Sequence, residues 1–299
     1  MYSYIAANKR RTWMLMASVV VIIIALGVSY DATLGRGAGY GGLAFALLLS
    51  GGLTLTSYYA GDRIALTTSG ARPITKRDAP ELYRVVENLA IASGVTMPKV
   101  YVIPDPTINA FATGRDYAHA SIAVTSGALE RLEREELEGV VAHELSHIQN
   151  FDIRLMTAVV VLVGVIALLS DWILRARWYG GGHRDDRSQG QLGVILSLIG
   201  IALAILAPIS AELIKLAVSR RREYLADASA ALLTRYPEGL ARALEKIAAA
   251  NQPMLRANGA TAHLFLANPF GSRRRLLTQL FSTHPPTGDR VRALRAMAV

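Results

Sequence analysis

Apolar residues gather in four long runs along this chain, with polar stretches of shorter period between them. Residues 12–30 and 40–60 carry no charge, residues 155–170 continue to Leu174 across Asp171, and residues 192–211 are uncharged around Pro208. A bilayer core takes about 20 apolar residues in a helix, so the first, second and fourth runs are each long enough to span. The third is shorter and fits a core helix as well. We expect it to span to 174, where Trp172 and Trp178 suit an interfacial belt. The linker 31–39 is short and glycine-rich, which makes the first two runs an antiparallel hairpin. Lys9, Arg10 and Arg11 ahead of the first run resemble the basic region of a signal peptide. The run is longer than a usual signal core, however, and Val28-Ser29-Tyr30 is a poor cleavage site, so an uncleaved anchor is expected.

The polar stretches read differently. Residues 80–92 place Leu82, Val85, Val86 and Leu89 on one helical face. Residues 99–103 (KVYVI) and 120–125 (ASIAVT) predict short strands. The segments 221–233 and 237–250 predict helices, and Pro285 and Pro286 start a last helix through Met297. The expected organisation is a transmembrane hairpin (1–60), a first catalytic part (61–154), a second hydrophobic helix pair (155–215) and a second catalytic part (216–299). The fold class is mainly α with a small β-sheet (α+β).

Composition supports a membrane protein: 52% of residues are hydrophobic, with mean hydropathy +0.30. The net charge of +9 raises the question of nucleic acid, but its distribution argues against that. Lys9 to Arg11 precede the first run, Arg63, Arg72, Lys76 and Arg77 follow the second, and Arg220, Arg221 and Arg222 follow the fourth. These are juxtamembrane clusters of the kind that anionic headgroups and the positive-inside rule favour. Arg273, Arg274 and Arg275 read as a solvated face. No basic module interleaved with aromatics is present, so no nucleic-acid partner is expected. The absence of cysteine excludes disulfide and thiolate chemistry. The basic flanks place both outer ends of the first hairpin in the cytoplasm. If the second pair also crosses, the polar segments before 155 and after 211 emerge on that same side. The loop 175–191 is then external, although Arg175, Arg177, Arg184 and Arg187 set against Asp185 and Asp186 mildly violate the rule.

The chemistry centres on His143-Glu144-Leu145-Ser146-His147. Glu133, Glu135 and Glu136 favour a helix N-terminus by the macrodipole, and Leu137, Val140, Val141, Leu145 and Ile148 recur at helical spacing. Histidines four apart share a helix face, so His143 and His147 can grip one metal together. Glu144 can reach a metal-activated water as general base. A peptidase site of this kind needs a third ligand, often a glutamate on a second helix. Glu223 in Arg221-Arg222-Glu223-Tyr224-Leu225-Ala226-Asp227 is the candidate. Asp227, one turn later, can accept the spare N–H of a ligating histidine. By composition alone the segment also fits an ordinary solvated helix start. Asn109 follows a proline-rich turn and reads equally as a turn cap or a substrate contact. His284, before two prolines, reads equally as an oxyanion donor or a structural residue. His119, His183 and His263 stand in no comparable constellation.

With these residues in place, the sequence resembles the HtpX-like membrane zinc metalloproteases, relatives of the CAAX prenyl endopeptidases. The resemblance is carried by the HELSH helix, the RREYLAD segment, Asn109-Ala110-Phe111-Ala112, and His284-Pro285-Pro286 followed by Arg290. Two hydrophobic segments separate HExxH from ExxxD, and the four motifs cover most of the chain. The resemblance implies a cytoplasm-facing zincin of the gluzincin type on four hydrophobic helices, in a bacterial or archaeal cytoplasmic membrane. It implies one zinc ion per chain on His143, His147 and Glu223, with Glu144 as base. It implies substrate or transition-state contacts for Asn109 and His284. It also implies protein substrates, damaged or misfolded membrane proteins among them.

The expected reaction is peptide hydrolysis, with the 120–125 strand offering its edge to an extended substrate. A CAAX-type processing protease ranks second, because four hydrophobic segments are few for a prenyl chamber. A membrane scaffold holding structural zinc ranks behind both, since such a site needs no Glu144.

Overall fold

The computed structural model describes residues 2–34, 40–179, 219–250, 252–271 and 285–297. The fourth apolar run, Pro208, His183, His284 and the cluster at Arg273–Arg275 lie outside the described residues.

The first two runs form helices α1 (Tyr2–Leu34) and α2 (Gly41–Tyr59). They lie antiparallel: Asp31 near the end of α1 accepts hydrogen bonds from the N–H groups of Gly42 (2.7 Å) and Leu43 (2.8 Å). At the other end Trp13 stacks on Tyr58. The Asp31 carboxylate thereby satisfies two of the orphan donors at the α2 N-terminus. Gly27 is required here, since a Cβ would sit 2.5 Å from the Gly42 carbonyl oxygen. Outward, α2 exposes Phe45, Leu48 and Leu55, a face that water does not favour and lipid does. Among the described residues α2 is the one helix that is by itself long and apolar enough to cross a membrane.

A short helix α3 (Gly61–Thr68) leads into a sheet of β1 (Arg72–Pro73), β2 (Lys99–Ile103), β3 (Ala110–Thr113) and β4 (Ser121–Thr125). Helix α4 (Pro80–Ser93), expected from its apolar face, starts with Pro at its first turn and stops at Gly94 with φ +69°. The sheet order is β1-β2-β4-β3, with β2 and β4 parallel and the other pairs antiparallel. Alternation sorts its side chains onto two faces. Val100, Ala110, Ala112, Ile122 and Val124 join the core around α4 and the HELSH helix. Phe111 and Ala123 face the other way, into a second cluster with Leu15 and Met16 of α1 and Leu66 of α3. At β3 and β4 the sheet lies between the HELSH helix and the α1–α2 hairpin and is buried on both sides.

This corrects one expectation: the 120–125 strand is paired on both edges and has none to offer a substrate. All five residues of β4 are buried, as in a strand covered on both faces.

Helix α5 (Ser126–Arg131) follows β4 directly, and α6 (Arg134–Gln149) carries the HELSH motif. Glu133 and Glu136 form a reciprocal capping box that starts α6. Phe151 has φ +57°, a left-handed conformation that a bulky residue rarely takes. There the chain turns by 85° into α7 (Asp152–Tyr179). The third apolar run therefore begins inside the protein: residues from Ile153 to Val163 are almost all buried. Helices α8 (Arg220–Thr234), α9 (Pro237–Ala250) and α10 (Thr287–Arg295) complete the described elements. Gly139 of α6 and Gly239 of α9 let these helices cross closely, since a Cβ at Gly139 would meet the Leu240 nitrogen at 2.6 Å. The last helix starts at Thr287, with Pro286 at its N-cap.

Candidate active site

Residues 139–148 of α6, nearly three turns at 3.6 residues per turn, are all buried, so His143, Glu144 and His147 have no bulk water around them. Helix α8 lies against α6 and brings Glu223 and Asp227 to the same point, also buried. Three atoms converge there. The Nε2 atoms of His143 and His147 are 3.2 Å apart. Glu223 places Oε1 3.6 Å from His147 Nε2 and Oε2 3.8 Å from His143 Nε2. In a tetrahedral zinc site with bonds of about 2.0–2.1 Å, ligand atoms stand about 3.3 Å apart, close to the observed separations. His143, His147 and Glu223 are the set that could hold a metal among the described residues.

The other ring nitrogens decide the protonation. His143 Nδ1 lies 2.9 Å from Asp227 Oδ1, and His147 Nδ1 lies 3.0 Å from Asp152 Oδ2. A carboxylate can only accept, so each Nδ1 carries its proton and each neutral Nε2 presents a lone pair. In neutral rings the two lone pairs face each other at 3.2 Å, an arrangement that a bound cation relieves and that a proton on His147 otherwise relieves. The charge around them agrees. The buried carboxylates Glu144, Asp152, Glu223 and Asp227 face two buried guanidiniums, Arg222 and Arg290, leaving two negative charges in excess. A dication balances that difference. Without one the cluster draws protons instead. Burial, with the Glu223 charge added, pushes the Glu144 carboxyl up to about 7, against the opposing His147 charge, the Ala112 N–H bond and Arg290. Burial alone would lower the His147 imidazole, but the Asp152 hydrogen bond and the charges of Glu223, Asp152 and Glu144 raise it to about 9. His143, beside Arg290 rather than among carboxylates alone, is lowered, chiefly by burial.

Each outer carboxylate is itself held. Arg290 of α10, 2% exposed, grips Asp227 with two bonds, Nε to Oδ2 at 2.8 Å and Nη2 to Oδ1 at 2.6 Å. This keeps the Asp227 carboxyl below its usual range despite burial. Arg290 also reaches Glu223 Oε2 at 3.8 Å. Asp152 accepts from Asn8 Nδ2 at 2.7 Å and from Arg222 Nη1 at 3.4 Å. Of these residues the sequence reading gave a role only to Asp227. Arg290 stood in a motif without a role, and Arg222 was read as a juxtamembrane charge. Asp152 and Asn8 were missed. Asp152 had a faint signal as the first acid after the HELSH helix, whereas nothing local points to Asn8.

Asn109 sits at the entry to β3, buried, with its amide fixed to backbone. Nδ2 donates to the Ala267 carbonyl at 2.9 Å, and Oδ1 accepts from the N–H groups of Ala267 and Ala110, each at 3.1 Å. With the Leu266 N–H bonded to the Ala110 carbonyl, this ties the 252–271 segment along β3. His263 Nε2 donates to the Met156 carbonyl, 2.9 Å away, and His119 pairs with Asp116 at the surface; neither joins the site.

A sequence model described as Peptidase family M48 matches residues 76–298. A protein named Protease HtpX homolog from Tropheryma whipplei is 46% identical over 297 residues, covering 99% of this chain and 98% of its own. Proteins of the same name from Dictyoglomus thermophilum and Caldanaerobacter subterraneus are 46% and 45% identical, covering 99% and 100% of this chain and 94% and 98% of theirs. Among solved structures, that of S. mikatae Ste24p aligns with a TM-score of 0.48 at 19% identity, over 95% of this chain and 63% of that one.

Proposed function

From the premise that this chain belongs to peptidase family M48, as an HtpX-like membrane-bound metalloprotease, we propose that it is a zinc endopeptidase whose base is Glu144. The observation that carries this is the buried meeting of His143, His147 and Glu223 beside Glu144. The donor set, two imidazoles and a carboxylate, is the kind that zinc takes in peptidases. Bound zinc supplies Lewis-acid polarisation of the attacking water and the scissile carbonyl. The chain's own residues do the rest. Glu144, held by the Ala112 N–H, takes the proton of the attacking water and returns it to the leaving amine nitrogen. Asp227 and Asp152 keep the histidines in the tautomer that frees Nε2. Burial keeps bulk water from competing at the site.

Three further assignments belong to this reading. The four hydrophobic segments form a multi-pass anchor that leaves the catalytic part on the cytoplasmic side. Support comes from the band where the hairpin meets the catalytic part: Trp13, Tyr58 and Tyr59 lie there with Arg115 and Arg154 over the tyrosine rings, the composition of a membrane interface. Asn109 serves to hold the 252–271 segment, and the substrates are proteins at or in the bilayer.

The test compares wild type with Glu144→Gln for cleavage of casein and for zinc content. Loss of a general base costs about 10²–10⁴-fold in rate, with zinc content unchanged. Equal cleavage by the two proteins would remove Glu144 from the mechanism.

A further inference from the structure

Asn8 lies in the second turn of α1, 3% exposed, and its side chain enters the catalytic part. Both partners of its Nδ2 are acceptors: the Asp152 carboxylate at 2.7 Å and the Asn150 carbonyl at 2.9 Å. Those two residues flank Phe151, the left-handed residue at the corner between α6 and α7. Asn8 is therefore a staple across that corner. The neighbouring Lys9 adds to it, with Nζ 4.3 Å from the centroid of the Phe151 ring. On the far side of the corner, Asp152 turns its other oxygen to His147 Nδ1. A chain of three side chains thus runs from the anchor helix to a metal-ligating ring.

We infer that Asn8 is a positioning residue for His147, acting through Asp152, so that the first anchor helix forms part of the outer wall of the metal site. The inference rests on the zinc peptidase reading above. An amide suits this place for a physical reason. It donates to Asp152 without neutralising it, so the carboxylate keeps the charge that holds the His147 N–H. An arginine or lysine would compete with His147 for that charge, and an aspartate would repel it. Without the amide, Asp152 keeps Arg222 at 3.4 Å, which draws it off the imidazole axis. Among the described side chains of α1, Asn8 is the one hydrogen-bonded to Asp152. Thr12, one turn on, is as buried but bonds only to the Asn8 carbonyl of its own helix.

The test measures zinc affinity by chelator competition, and the visible spectrum of the cobalt-loaded form, on the full chain in detergent. Asn8→Leu keeps the branched shape of the side chain and removes the amide, Thr12→Val probes helix packing alone, and Asp152→Asn supplies the background for a double-mutant cycle. Outer partners of metal ligands are worth about 10–100-fold in affinity. Asn8→Leu should weaken zinc binding about tenfold, at the low end of that range, and shift the cobalt bands. Thr12→Val should change neither, and Asn8→Leu should add nothing once Asp152 is Asn. Unchanged affinity in Asn8→Leu overturns the inference, as does an equal drop in the Asp152→Asn background, which would mean general loss of packing. A wild type that binds no zinc removes the peptidase reading itself. A wild type that binds zinc beside an equally tight Asn8→Leu removes only the role of Asn8.

Discussion

His143 and His147 leave the same helix one turn apart, and each points its Nδ1–H at a carboxylate, yet the two supports are built from different material. Asp227 comes from α8 and is clamped by two bonds from Arg290 of α10, wholly inside the catalytic part. Asp152 opens α7, just past a left-handed corner, and is held by Asn8 from the N-terminal hairpin. One support is a charged, bidentate pair that no water reaches. The other joins a neutral staple from α1 to a longer contact with the Arg222 guanidinium, 3.4 Å away. The difference teaches that a single metal site can be fixed on one side by the helices that carry it and on the other by the N-terminal hairpin packed against them. It follows that solubilising this protein by removing the hairpin would not leave the site untouched.

Arg290→Ala should have the largest effect on this comparison. It leaves the Asp227 carboxylate buried with no countercharge, a change that costs about 3–5 kcal/mol when one partner of a buried pair is lost. A thermal or denaturant transition of the metal-free protein measures it. Arg290→Lys should recover little, because a lysine cannot reproduce two parallel bonds. If Arg290→Ala unfolds at the wild-type midpoint, the His143 support is no stronger than the His147 one, and the contrast fails.

Next in size are Asp227→Asn and Asp152→Asn. Each lets the amide present the wrong atom to an imidazole N–H, and each should weaken zinc binding by about 10–100-fold. Comparable losses would show that both histidines depend on their carboxylates whatever holds those carboxylates. A loss for Asp227→Asn alone would make the Asp152 contact incidental and would place the whole burden of orientation on α8.

How far these supports were legible in the sequence follows from their range. The HELSH helix, its capping acids and the ExxxD turn are local patterns of period 3.6, and Asp227 was readable because it stands one turn from Glu223. The strands 99–103 and 121–125 were readable from β-branched runs. The strand Ala110–Thr113 was not, because AFAT carries one bulky residue and follows a proline turn; tertiary pairing with β4 makes it a strand. The edge status of a strand is likewise a property of the sheet, so the mistaken offer of the 120–125 edge to a substrate had no local signal to prevent it. Arg290 stands in the last motif of the sequence, but its role depends on the docking of α10 against α8, where it meets Asp227. Asn8 is 144 residues from Asp152, and no period links them.

The smallest predicted effect tests whether the anchor acts locally or as a lever. Asp31 caps α2 with two hydrogen bonds at the far end of α1, about 35 Å from Asn8 at 1.5 Å per residue. Asp31→Ala should cost about 1 kcal/mol, the usual value of a lost helix cap, seen as a lower thermal transition of the hairpin. If Asn8 acts as a local staple, zinc affinity in this variant stays at the wild-type value, because Leu15 and Met16 still seat α1 in the cluster beside the sheet. A fall in zinc affinity with Asn8 intact would mean that α1 transmits strain along its length. The His147 support would then report on the whole hairpin, its loop included, and not on one amide.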